Sequence, residues 1–190
     1  NANLKHLFKL CDLFPEFFRP NIFEILKYIK LNKNFDDKIV IYTNNNGEKS
    51  WTLSIIAYIE YKLNMKIFDQ AICAFKIDNR ILEPNRTSYE KIYSDLIRCV
   101  GAPYGTSVCF VDDRIHNSMI HPMVDYIQVK PYHTEFNKYK TLNKLHRSNI
   151  HFGNYSEVQY NLPNNYSKTK RQSDQDLKIT QQMFLRLTKY

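Results

Sequence analysis

Ile39-Val40-Ile41-Tyr42-Thr43-Asn44-Asn45-Asn46-Gly47, IVIYTNNNG, is the stretch on which the fold class turns. Four consecutive apolar residues end on a hydroxyl and a polar turn closed by glycine. A run apolar on both faces reads as a buried parallel strand, because helices cover both sides of a parallel sheet and no alternation survives. Outward from it, helical and strand-like segments alternate. Upstream, FRPNIFEILKYIK starts a helix at Pro20 and Asn21, with Ile22, Ile25, Leu26 and Ile29 as its inward stripe. Downstream, residues 49–62 keep helical period through Trp51, Leu53, Ile55, Ile56 and Ile59. QAICAFKI follows as a strand, then a loop over residues 79–85. A helix is predicted over 87–98 with Tyr89, Ile92, Tyr93, Leu96 and Ile97 inward, and TSVCFVDD and DYIQVKPY complete the strands. The alternation predicts an α/β domain with a mostly parallel sheet.

Past Tyr132 the character changes. Residues 134–170 are rich in Asn, Lys, Tyr and Ser with little periodicity, which predicts an extended polar arm. SDQDLKITQQMFLRLTKY reads as a closing helix capped by Ser173, with Asp174 and Asp176 in its first turn and Arg186 and Lys189 in its last. Leu177, Met183, Phe184 and Leu187 would be its docking face. The expected organisation is therefore an α/β domain over 1–133, a basic arm over 134–172 and a helix over 173–190.

The 190 residues suit one domain plus a tail, and 43% hydrophobic content is enough for a real core. No run of eighteen apolar residues indicates a membrane span, and the opening NANLKHLFKL lacks both a signal-peptide layout and an initiator Met. Residue 1 is thus expected not to be the natural start. Cys11, Cys73, Cys99 and Cys109 lie far apart with no C-x-x-C pair, and read as reduced core residues of an intracellular protein, cytoplasmic or nuclear. The net charge of +8 favours anionic partners: nucleic acid, a phosphoprotein or an acidic assembly.

Two strand ends are chemically loaded, and in an open parallel sheet functional groups collect at the carboxyl ends of strands. At the first, a hydroxyl on Thr43 precedes backbone N–H groups suited to a phosphate oxygen. At the second, Asp112 and Asp113 end the run VCFVDD. A hard cation such as Mg2+ takes oxygen ligands, usually one or two carboxylates with waters and a substrate phosphate. Either feature also has an ordinary reading, as a turn former or a helix cap. His116, His121 and His133 follow the acidic strand; a polar loop is one reading of them, a metal role the other. Nucleotide-binding glycine loops and the G-x-S-x-G motif do not occur.

The chain resembles the haloacid-dehalogenase-like (HAD) superfamily, and within it the NLI-interacting-factor-like group of carboxy-terminal-domain phosphatases. FFRPNIFEILKYI, IVIYTNNNG and VCFVDDR carry the resemblance, which spans residues 14–132. It implies a Rossmann-like three-layer sandwich and Mg2+-dependent phosphoryl transfer to an aspartate nucleophile. It further implies that Thr43, Asn44, Asn45 and Arg114 bind the substrate phosphoryl group, that Lys91 (with Arg86 as runner-up) offsets charge in the transition state, and that Asp112 and Asp113 hold the metal. The catalytic set is then Thr43, Lys91, Asp112 and Asp113.

The group's defining element, a first strand ending Asp-x-Asp-x-Thr, has no counterpart here, and Asp12 in KLCDLFPEFF is too isolated to replace it. In that fold the first strand lies between the strands bearing Thr43 and Asp112. Its loss would leave a slot about 9–10 Å wide, with buried backbone groups unpaired at about 1–3 kcal/mol each. The missing strand is therefore expected upstream in a longer chain or on another polypeptide. Function follows in three versions: a phosphatase acting on a phosphoprotein; a catalytically inactive scaffold, for example in a viral particle; or a phosphatase processing nucleic-acid ends. In the last, Lys138, Lys140, Lys144 and Arg147, interleaved with Tyr139 and His146, would track phosphates.

Overall fold

The computed structural model describes residues 2–45, 49–134 and 138–148. They fall into two compact units, one running Arg19–His133 and the other joining the N-terminal segment up to Phe18 with residues 134 and 138–148. In the latter, helix α1 (Ala2–Leu13) leads into a 3-10 turn, Pro15–Phe17. Leu10, Cys11 and Phe14 are its buried residues. The predicted closing helix over 173–190 lies outside the described residues, as does most of the predicted arm.

The larger unit opens with α2 (Ile22–Asn32), preceded by Asn21 at the N-cap position with a left-handed φ of 63°. Strand β1 (Val40–Tyr42), helix α3 (Lys49–Leu63) and strand β2 (Gln70–Ile72) form a β-α-β unit in which β1 and β2 pair in parallel. Glu60 turns the chain from α3 into β2 by accepting the N–H groups of Ile67 and Phe68. A two-strand hairpin follows, β3 (Lys76–Ile77) against β4 (Arg80–Ile81), through Asp78 and Asn79, both at positive φ. That conformation is what a two-residue turn matching strand twist requires. Helix α4 (Tyr93–Val100) ends on Gly101, whose φ of 66° permits the left-handed cap. Strands β5 (Val108–Asp112) and β6 (Val124–Gln128) make a second parallel pair, joined by a 3-10 turn at Asn117–Met119.

The fold is thus mixed α/β with short parallel strand pairs. Among the described residues β1–β2 and β5–β6 are separate ladders. Both contribute to one core, built from Tyr42, Ile72, Tyr93, Leu96, Ile97, Phe110 and Met119, with Val40, Val108, Val124 and Tyr126 packed against it. Helix α4 supplies Tyr93, Leu96 and Ile97 at helical spacing. No helix among the described residues is long and apolar enough to cross a membrane.

Several sequence expectations are corrected. The helix predicted from residue 87 starts only at Tyr93. The Arg86 guanidinium takes the carbonyls of Tyr89 and Glu90, the acceptors that a longer helix would need, and Asp95 holds the Thr87 N–H. The stripe on α2 does not face inward as a whole: Ile25 and Ile29 are exposed, and Phe23 instead meets Tyr58 of α3 edge to face. Residues 138–147 of the predicted arm are helical, forming α5 (Lys138–Arg147). Lys144 of that helix lies 4.9 Å from the Phe14 ring centroid and 3.5 Å from a Glu16 carboxylate oxygen. Anchoring of this kind stabilises a helix too polar to read from periodicity alone. All four cysteines are free, but Cys109 is exposed rather than in the core. Burial pushes the Cys11 thiol up to about 12, with the Asp12 charge adding to the effect.

Candidate functional site

Strand β5 carries its core side chains on alternate residues, Val108, Phe110 and then Asp112, so the last position of the inward face is a carboxylate. There it meets Lys91, on the extended segment that precedes α4. The Lys91 Nζ donates to Asp112 Oδ2 at 2.6 Å, and the two side chains are only 12% and 10% exposed. The Arg114 N–H donates to Asp112 Oδ1 at 2.9 Å, and His116 Nε2 stands 3.5 Å from Oδ2. Burial pushes the Asp112 carboxyl up, but the Lys91 hydrogen bond, the Arg114 N–H and the charges of Lys91 and His116 outweigh it and hold the pKa below the usual value. Lys91 also lies 5.6 Å from the Phe110 ring centroid and 5.9 Å from that of Tyr42. One ammonium therefore touches the last inward aromatic of both β1 and β5.

Arg86 ties the remaining pieces together. It is 2% exposed and lies 4.7 Å above the Tyr42 ring. Its Nη1 donates to the carbonyls of Thr43 and Cys73; its Nη2 donates to Asn44 Oδ1 and to the carbonyls of Tyr89 and Glu90. Every acceptor is a neutral oxygen, and Nε is buried without a partner. The chain leaving β1 is thereby bound to the residue preceding Lys91, and Lys91 to the end of β5. Ser118 donates to Glu90 at 3.0 Å, while the Tyr126 hydroxyl donates to the Arg114 carbonyl and accepts the His116 N–H. These contacts fix the loop after β5.

The predicted site residues are placed as follows. Lys91 and Asp112 form a direct pair. Thr43 and Asn44 join the same region through Arg86, although the Thr43 hydroxyl accepts the Asn45 N–H in a local turn. Asp113 is half-buried, and Arg114 contributes its backbone N–H while its side chain is exposed. The histidines divide: His116 faces Asp112, whereas His121 stacks on Tyr93 at 4.1 Å and its Nδ1 accepts the Met123 N–H. Arg86, expected only as runner-up to Lys91, and His116, for which a polar loop and a metal role are the two sequence readings, both lie at this site. The spacing Asp112-x-x-x-His116 was the one signal for the latter; burial of an arginine leaves none.

No group of three or more His, Cys, Asp or Glu suited to a metal occurs among the described residues. The donor set is two adjacent carboxylates, one already engaged by Lys91. Such a set fits Mg2+ only in its usual sparse manner, where waters and phosphate oxygens complete the octahedron. No known protein family, curated protein or solved structure matches the chain.

Proposed function

We propose that this protein is a phosphoryl-transfer enzyme of the aspartate-nucleophile type, acting on phosphoserine or phosphothreonine in a protein. The observation that carries the reading is the half-buried Lys91–Asp112 pair at a strand end, with Arg86 tying Thr43 to the segment that bears Lys91. An ammonium held by a carboxylate is pre-positioned for charge developing on a phosphoryl group, with no reorganisation when the charge appears. The Thr43 oxygen accepts the Asn45 N–H, which leaves its hydroxyl proton as the group that would donate to a phosphoryl oxygen. Mg2+, held by Asp112 and Asp113, would supply neutralising charge to the phosphoryl oxygens. The attacking carboxylate comes from outside the described residues.

The test is phosphate-dependent binding, read by calorimetry with a phosphoserine peptide and its unphosphorylated twin. Lys91→Met and Thr43→Val are each expected to weaken the phosphopeptide at least about tenfold, the worth of one charge-assisted hydrogen bond, and to leave the twin unchanged. Equal affinity of wild type and Lys91→Met for the phosphopeptide would remove the reading.

A second reading, a non-catalytic scaffold, has its own observation. Both Asp112 oxygens already have donors, as in a purely structural ion pair. It predicts no preference for the phosphorylated peptide. The polar arm and charge of +8 that suggest nucleic-acid ends bear on α5, where Lys144 is engaged with Glu16 and Phe14.

A further inference from the structure

We infer that the smaller compact unit, which holds α1 and α5, binds nucleic acid through its phosphate backbone, with Lys5 and Lys9 of α1 and Lys140 and Arg147 of α5 as the contacting cations. No residue of the Lys91–Asp112 site takes part, so the inference stands apart from the phosphoryl-transfer reading.

Charge is unevenly divided between the two units. Residues 1–18 with 134–190 hold twelve Lys and Arg against six Asp and Glu, whereas residues 19–133 hold fifteen against thirteen. Six of the eight net positive charges therefore fall on 75 of the 190 residues. Over the described part of the smaller unit the imbalance is steeper: Lys5, Lys9, Lys138, Lys140, Lys144 and Arg147 are set against only Asp12 and Glu16. Clustered charge of one sign is the electrostatic footprint of a polyanionic partner.

Helical spacing arranges these cations. Lys5 and Lys9 stand four apart on α1, and Lys140 and Arg147 seven apart on α5, so each pair shares a helix face; all four are exposed. Lys5, Lys9 and Arg147 form no ion pair among the described residues. Neither helix has an acid in its first turn, and α5 opens on Lys138 and Lys140, the reverse of what the helix dipole favours. Like charges four apart on α1 repel as well. An anion laid along these faces relieves both repulsions. Lys144, which the sequence offers as a phosphate contact, is instead paired with Glu16 and lies over Phe14, and α1 supplies two cations in its place.

The surface around them argues against a lipid partner. Leu10, Cys11 and Phe14 are buried, and among the described side chains every exposed large apolar residue lies between Ile25 and Tyr132, with none on α1 or α5. A helix that lies in a membrane interface needs apolar side chains to insert. These helices offer charge without them. What remains is attraction to regularly spaced anions, which a nucleic-acid strand supplies through its phosphates.

Fluorescence anisotropy of the full chain with a labelled twenty-residue oligothymidylate, over a salt series, tests this. Four neutralised phosphates give a slope of log K against log salt of about −3. Lys5→Glu with Lys9→Glu, and Lys140→Glu with Arg147→Glu, should each weaken binding at least about tenfold and flatten the slope by about 1.4, at about 0.7 per lost contact. Lys5→Arg with Lys9→Arg keeps the charge and should bind as wild type. Lys27→Glu with Lys66→Glu makes the same change on two exposed lysines of the larger unit and should leave the slope unchanged. An equal loss there would show that net charge alone attracts the strand, and would overturn the inference. So would a wild-type slope shallower than about −1, or competition by phosphatidylserine vesicles or polyglutamate that matches the unlabelled oligonucleotide charge for charge.

Discussion

Lys91 and Asp112 show how a pair of side chains can be recognised before its environment is known. The acidic doublet was visible as carboxylates closing an apolar run, and Lys91 as a basic residue ahead of a helix. Neither the 2.6 Å contact nor its burial was legible, because both depend on chain that approaches from another element. Removing the lysine leaves a mostly buried carboxylate without its cation, so Lys91→Met is expected to cost about 3–5 kcal/mol in urea unfolding. The pH dependence has a definite sign. The folded pKa of Asp112 is lowered, so the group's contribution to stability is present above its unfolded value of about 3.9 and is lost as pH falls through the folded pKa. Wild type should therefore lose stability in acid more steeply than Lys91→Met. Parallel acid titrations of the two proteins would contradict this account of the pair.

Among the elements, the strands were the legible part. Their cores are runs such as IVIY and VCFV, which mark strands, although in VCFV only Phe110 is buried while Cys109 and Val111 are exposed. Helix α4 was only half legible. Residues 87–98 have helical period, but Asp95 claims the Thr87 N–H and Arg86 the Tyr89 and Glu90 carbonyls, and no pattern of apolar spacing reports a buried arginine. On α2 the sequence shows the apolar stripe but not what it packs against, and Ile25 and Ile29 of that stripe are exposed. Arg86 is thus the residue that converts a continuous helix into the extended segment bearing Lys91. Its planar fork reaches acceptors on three segments, and an ammonium has three donors with no such geometry. Arg86→Lys keeps the charge yet should destabilise by about 2–4 kcal/mol, as lost charge-assisted hydrogen bonds leave carbonyls unpaired. Urea unfolding measures it, and a change under 1 kcal/mol, roughly the worth of a single neutral hydrogen bond, would show that the staple is dispensable.

The whole molecule poses a problem that neither residues nor elements reveal singly. Its core is shared by two ladders that no pairing joins among the described residues, and an outer strand face carries Val111, Ile127 and Cys109 into solvent. Exposed parallel edges beside an apolar face are templates for pairing with another chain. Charge opposes this, since +8 on 190 residues keeps copies apart, but the repulsion is screened by salt within about 8 Å at physiological ionic strength. The chain is therefore expected to stay monomeric at low salt and to self-associate as salt rises, the reverse of an assembly held by ion pairs. Val111→Lys separates the two contributions. The side chain lies on the bare face, so the substitution should change stability by no more than about 0.5 kcal/mol, while a charge on an edge strand suppresses pairing. Sedimentation across a salt series should show the wild type shifting to larger species and Val111→Lys remaining monomeric. Identical behaviour of the two would place the sticky surface elsewhere, with the apolar stripe of Ile25, Tyr28 and Ile29 on α2 as the next surface to charge.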